Sequence, residues 1–455
     1  MSHVNVHGSG GGGGRGAESP PPLRIDTHTH ILPESLPDMR ERYGYAGWVR
    51  LSNFSSCGKR ASMIRDDGTS FREVENSLWS IPRRLGDCAS VGVDVHVLST
   101  VPVMFNYWAR GEDASDLARL LNDHVAASVA VAPEHFAGLG TLPLQHPELA
   151  VGELRRCKAL GLAGVQIGTN VSHQVRGWGG KDTEWRHWPL SAPELFPVFK
   201  AAAELDMCVF VHPWDMMGSE YMRDYFLPWL VGMPAETTQA MCAMMFSGIL
   251  ERLPNLRVCF AHGGGAFSST LGRIQHGWAV RQDLCARDTS WSPQEHVDRK
   301  RFWVDSLVHE PHALNQVVRV YGADRVCEFG GRMGRVLGLG VFARASSSRT
   351  RTPTHTLSHR THTLHTHTNT HCTHMHTHTH AHSSPGLGSD YPFPLGEYTA
   401  ESQGKEYCAG ALVDQMAKDA WPGWELGGGV RKSVLGGAAL QWLARDESSF
   451  RRMRG

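Results

Sequence analysis

From Leu23 onward the chain alternates short, apolar, β-branched runs with longer amphipathic stretches, and this alternation constrains the fold more than any motif does. A strand followed by a helix-length connection pairs parallel with the next strand, through a right-handed crossover. The strand candidates are residues 24–30, 93–100, 136–142, 163–168, 208–212, 257–262, 302–305 and 325–329. Helices are predicted over 115–131, 147–160, 192–205, 235–253 and 311–321. Eight strands in this pattern predict an α/β fold of one kind, a closed (β/α)8 TIM barrel, rather than an open sheet.

Two stretches fall outside the pattern. Residues 1–22 hold Gly10 to Gly14 and Pro20 to Pro22 with almost nothing apolar, so they read as a disordered leader. Residues 331–388 contain a Thr-His tract from Thr354 to His382 with 11 of the 27 histidines. A near-strict His-Thr alternation is what a CA dinucleotide repeat encodes. The tract is therefore either a metal-binding segment or a retained non-coding one, and the second is favoured because it has neither spaced apolar residues nor turn chemistry. Removing residues 331–388 would join Val326-Cys327-Glu328-Phe329-Gly330 to Ser389-Asp390-Tyr391-Pro392-Phe393-Pro394, an apolar strand running into an acidic loop. The expected organisation is a leader over 1–22, a barrel over 23–330, a disordered low-complexity insertion over 331–388, and the end of the barrel over 389–455 with helices at 403–420 and 431–446.

A formal net charge of zero gives no electrostatic case for nucleic acid or an anionic membrane, and leaves a small molecule as the expected partner. The ten cysteines form no Cys-x-x-Cys and several sit in strand-like runs, the mark of buried, reduced thiols. With no N-terminal apolar h-region and no apolar run of about 18 residues, a cytosolic protein is expected.

The chemistry gathers at strand ends. In Asp26-Thr27-His28-Thr29-His30 the two histidines project to one face of the first strand, with Asp26 on that face. Phe210-Val211-His212-Pro213 and Phe260-Ala261-His262-Gly263 end the fifth and sixth strands, and Asp390 would end the eighth. In a barrel these positions share the C-terminal mouth. Singly each histidine is more often a core residue; together they predict a metal site. Catalytic zinc takes three or four protein ligands and keeps a place for water. The expected ligands are His28, His30, His212 and Asp390, with His262 as acid-base group. The fourth strand, Ala163 to Gly168, has no lysine to bridge a second metal, so one metal is expected.

Thr-His-Thr-His-Ile-Leu-Pro, Phe-Val-His-Pro-Trp-Asp, Ala-His-Gly-Gly-Gly-Ala-Phe and Asp-Tyr-Pro-Phe-Pro-Leu-Gly-Glu together resemble the amidohydrolase superfamily, and within it the metal-dependent decarboxylases of tryptophan catabolism. Leu230 to Thr238 and Thr100 to Phe105 carry the same likeness, which runs from about Arg24 to Gly330 and resumes at Ser389. The resemblance implies a homodimeric, zinc-dependent, non-oxidative decarboxylase with one Zn2+ per subunit. It would act on a dicarboxylate, 2-amino-3-carboxymuconate 6-semialdehyde, in the kynurenine pathway, yield 2-aminomuconate 6-semialdehyde and so limit quinolinate. Zinc falls on His28, His30, His212 and Asp390, and the general base on His262. Arg72 and an Arg273 donated by the neighbouring subunit would grip carboxylates. Trp229 and Phe393 match pocket aromatics, though core packing explains them almost as well. Residues 331–388 and a stretch around 174–187 have no counterpart in the family, and Gly436-Gly437-Ala438 stands where it has Gly-Asn-Ala. A decarboxylase of an aromatic acid, or an impaired product of the retained segment, are the alternatives.

Overall fold

The computed structural model describes residues 23–176, 183–327, 391–392 and 432–451. The expected strands form one parallel sheet in chain order: β1 Ile25–Ile31, β2 Val95–Thr100, β3 Phe136–Thr141, β4 Gly164–Gly168, β5 Cys208–His212, β6 Val258–Phe260, β7 Trp303–Asp305 and β8 Val326–Cys327. The outer edge of β1 is met by Tyr391: Thr29 bridges it in parallel, and His30 N donates to Tyr391 O at 2.8 Å. The molecule is a (β/α)8 barrel.

Every residue of β1, β2, β3, β4 and β5 is buried, as parallel strands covered on both faces require. Alternation divides them. Val209 and Val211 of β5 face outward to a core shared with Leu154, Phe199, Met241 and Leu314 of the surrounding helices. Ile25, Val95, Cys208, Phe210, Cys259 and Cys327 fill the barrel with Trp442, whose ring lies 5.8 Å from that of Phe210. The helix Ala438–Leu443, within the stretch expected at 431–446, carries this Trp442. Among the described residues all cysteines are free thiols.

Helix bounds follow the predicted ones, with one break. The helix expected over 235–253 is Met233–Phe246 followed by Ile249–Arg252. Gly248 separates them at φ +68°, where a Cβ would stand 2.2 Å from Asp288 O, so the turn both needs glycine and cannot take a side chain. The strand expected over 257–262 ends at Phe260, which puts His262 in the turn that follows.

Two additions were not read as elements. Val49–Ser52, Arg60–Arg65 and Ser70–Glu75 form an antiparallel sheet between β1 and β2, with Val49, Leu51, Met63 and Val74 packed on Leu32 and Trp79. Asp67-Gly68 between two alternating runs was the available signal. The stretch flagged around 174–187 is a hairpin, Asn170–Arg176 with Thr183–Pro189. Residues 1–22 and 331–388 and the helix expected at 403–420 lie outside the described residues.

Candidate metal centre

Parallel pairing brings the ends of β1 and β5 and the turn after β6 to one mouth, and their imidazoles meet there. The rings of His28 and His30 lie 5.2 Å apart, those of His28 and His212 4.8 Å, and those of His28 and His262 5.1 Å. His30 is 5.3 Å from His212, and His212 5.1 Å from His262. His28, His212 and His262 each offer a ligand atom, all within 4.8 Å of one another.

The partners of these rings fix which nitrogen faces the cluster. His28 Nδ1 meets the Asp305 carboxylate at 3.0 Å, His30 Nδ1 the carbonyl of Thr100 at 3.0 Å, and His212 Nδ1 the carbonyl of Pro213 at 2.7 Å. Each acceptor selects the tautomer with hydrogen on Nδ1 and the lone pair on Nε2, the form that binds metal. His212 Nε2 is buried and makes no hydrogen bond among the described residues. Burial, then the neighbouring rings of His28, His262 and His30, hold the His212 pKa well below its ordinary 6.5, so this imidazole stays neutral. A group of oriented imidazoles, with an orphaned buried nitrogen on His212, fits a divalent transition metal.

Asp305, at the end of β7, was read only as part of a strand. Its buried carboxylate accepts from His28 Nδ1, and from the backbone N–H groups of His262 at 2.8 Å, Gly263 at 2.8 Å and Leu307 at 3.0 Å. Burial pushes this carboxyl up, but His28, His262 and the N–H donors outweigh it and hold its pKa below the ordinary 3.8. The rule that selects His212, a polar residue ending a buried barrel strand, selects Asp305 as well. His262 itself has φ +57°, and Gly263, Gly264 and Gly265 follow at +62°, +75° and +64°. A histidine held there costs about 1–3 kcal/mol, the kind of strain that gathers at functional sites.

Glu236 left no such signal. On the helix after β5, it accepts from the N–H groups of Trp214 at 3.0 Å, Asp215 at 3.3 Å and Met217 at 3.0 Å, and from the Thr169 hydroxyl. It ties the loop after His212 to the end of β4. Gln166, on the strand that lacks lysine, bonds Ser99 at 2.7 Å and Thr100 O at 2.9 Å. Asp26 accepts from His28 N at 3.1 Å and lies 3.8 Å from His96.

A cavity of about 420 Å³ reaches His262 between Trp229, Met233, Leu307, Val308 and Gln316. A second, of about 400 Å³, opens beside the loop after β5, between Arg65, Phe105, Trp108, Trp214 and Asp215. The structure thus brings His28, His30, His212 and His262 together and sets Trp229 on one cavity wall. Arg72 stands half-buried on the antiparallel sheet, opposite Met63. Arg273 is exposed on the helix Phe267–Val280, one turn beyond Ser269 at the cavity. Asp390 and Phe393 lie outside the described residues; the neighbouring Tyr391 is seated on β1.

The amidohydrolase family profile matches residues 25–327. The 2-amino-3-carboxymuconate-6-semialdehyde decarboxylase of Dictyostelium discoideum is 40% identical over 94% of this chain and 93% of its own length. In fold, the chain is similar to the apo crystal structure of Metarhizium anisopliae IDCase, with TM-score 0.61 and 18% identity over 95% of this chain and 98% of that one. It is also similar to a dihydroxybenzoic acid decarboxylase from Polaromonas solved with bound manganese and 2-nitroresorcinol, with TM-score 0.52 and 20% identity over 67% of this chain and 85% of that one.

Proposed function

The chain belongs to the amidohydrolase family and is one of its decarboxylases, and from that premise we propose that it removes carbon dioxide from 2-amino-3-carboxymuconate 6-semialdehyde. The product is then 2-aminomuconate 6-semialdehyde, and the step withdraws substrate from quinolinate formation in tryptophan catabolism. The likeness to the Dictyostelium decarboxylase over nearly the whole of both chains carries this reading. The proposed cofactor is one zinc ion per subunit, on His28, His30, His212 and Asp390. When bound there it would supply a Lewis acid and a water acidic enough to react near neutral pH.

His262, at the rim of the 420 Å³ cavity and beside the ligand rings, handles the proton. As the carbon–carbon bond to the departing carboxylate breaks, its electron pair stays on the substrate carbon, and that carbon must take up a proton. Arg72 and a partner's Arg273 grip the carboxylates, Trp229 and Phe393 wall the substrate, and the cavity's apolar side excludes water. The stretch before Trp229 exposes Tyr221, Tyr225 and Phe226, with Leu230 and Val231 beyond it. These exposed apolar side chains suit a second copy of the chain in a cytosolic homodimer.

The test is loss of the substrate's near-ultraviolet absorbance with purified protein. His262→Ala is expected to keep metal and lose about 100-fold to 10,000-fold in rate. Because His262 also falls within the metal-sized group of rings, loss of metal along with activity would make it a ligand instead. Turnover of dihydroxybenzoates with none of the semialdehyde would replace the substrate and leave the reaction class.

A further inference from the structure

Four donors converge on the Asp305 carboxylate from two parts of the centre. One oxygen takes His28 Nδ1 and the N–H of His262; the other takes the N–H groups of Gly263 and Leu307. An ionised carboxylate only accepts, so the nitrogen of His28 that faces it must carry the hydrogen, which in the neutral ring leaves the lone pair on Nε2. Carbonyls do the same for His30 and His212, but a charged acceptor holds the tautomer more strongly. At the same time the N–H groups of His262 and Gly263 form a concave backbone nest in left-handed conformation, and Asp305 is the anion seated in it. The bonds from Gly264 N–H to Ala261 O at 3.2 Å and from Gly265 N–H to His262 O at 2.9 Å close the same turn, and Asp305 anchors it to the end of β7.

We propose that Asp305 is a positioning residue that sets, through one carboxylate, both the ligand tautomer of His28 and the strained turn that aims His262. Metal binding and proton handling are thereby made interdependent, although their side chains come from strands on different sides of β7. The inference rests on reading the cluster as a metal centre.

Asp305→Asn isolates the effect, because it keeps volume but leaves a single acceptor oxygen for four donors. With the amide oxygen toward Gly263 and Leu307, the amide N–H groups confront His28 Nδ1 and His262 N. His28 must then move its hydrogen to Nε2, where it blocks the metal. With the amide reversed, the clash falls on Gly263 and Leu307, and the turn is forced to shift. Both orientations impair the centre.

The experiment compares full-length wild type, His28→Ala and Asp305→Asn in competition titrations of zinc against a chromophoric chelator. The site is counted as the equivalent that wild type holds and His28→Ala lacks, so that the histidine tract cancels. For Asp305→Asn the affinity of that equivalent is expected to fall 10-fold to 100-fold, with kcat at saturating zinc down by at least 10-fold. Wild-type affinity for that equivalent, or wild-type kcat at saturating zinc, would overturn the proposal. No difference between wild type and His28→Ala would instead overturn the metal-centre reading beneath it. Should Asp305→Asn lack a cooperative melt, ¹⁵N NMR of metal-free, histidine-labelled wild type decides: signals missing from His28→Gln are expected in the Nδ1–H pattern, and the Nε2–H pattern overturns the proposal.

Discussion

Single residues in this barrel have their charge set by burial before any ligand arrives. His124 and His296 are driven down to about 4 from an ordinary 6.5, chiefly because desolvation penalises the imidazolium. His96, fully buried in β2, is held well below 6.5 for the same reason. Between about 4 and 6.5 the unfolded chain protonates these rings and the folded chain does not, so the unfolded state binds more protons and stability rises with pH. The thermal midpoint is therefore expected to fall steadily as pH is lowered from 6.5 toward 4. Asp305 acts below that window: its depressed pKa contributes stability above the ordinary 3.8, lost as pH falls through the folded value. Melts recorded every half pH unit in one ionic strength check this. A midpoint that is flat from 6.5 to 4.5 would mean that the rings become charged inside the fold.

At the scale of elements the informative place is the seam between β8 and β1. Val304 and Asp305 of β7 pair with Val326 and Cys327 on one side, and Thr29 of β1 pairs with Tyr391 on the other. Residues 331–388, 58 in number (388 − 331 + 1), thus fall between two segments that both serve the same sheet. Closing a loop of that length costs about 3–4 kcal/mol by the logarithmic rule, less than a barrel core contributes. Joining Gly330 directly to Ser389 is expected to raise the melting temperature and to leave one tightly held metal, whereas the full chain takes up additional, easily chelated metal on its eleven tract histidines. Equal melting temperature and equal metal stoichiometry in the two proteins would contradict both halves. The proposed ligand Asp390, one residue from the seated Tyr391, is expected to gain from the join, because a zinc ion would require its oxygen within about 2.0–2.2 Å.

For the molecule as a whole, the number of chains that make one site turns on Arg273. Arg273 is exposed one helical turn past the serines at the cavity, a position from which a guanidinium serves a facing subunit as readily as its own. If it completes a neighbour's site, an Arg273→Ala chain and a His212→Ala chain, each inactive, are expected to regain activity when mixed. A random mixture of dimers then holds one intact site in about half of its molecules, so roughly a quarter of wild-type activity per chain is the ceiling. Mixed dimers formed without recovery would return Arg273 to its own subunit or to the solvent.

The barrel was legible in the chain, because eight buried parallel strands read as continuous apolar runs and helices between them read as amphipathic ones; local composition carries that information. So was the grouping of His28, His30, His212 and His262, since strand ends of a barrel have only one mouth to meet at. The break at Gly248 escaped, because its cause is a backbone oxygen of Asp288 forty residues away. The antiparallel sheet at 49–75 escaped in part, its Asp67-Gly68 turn being legible and its packing on Trp79 not. The partners of Asp305 and Glu236 are fixed only by the packing of distant segments. A carboxylate's function here lies in which buried N–H groups converge on it, and those donors come from other strands, loops and turns.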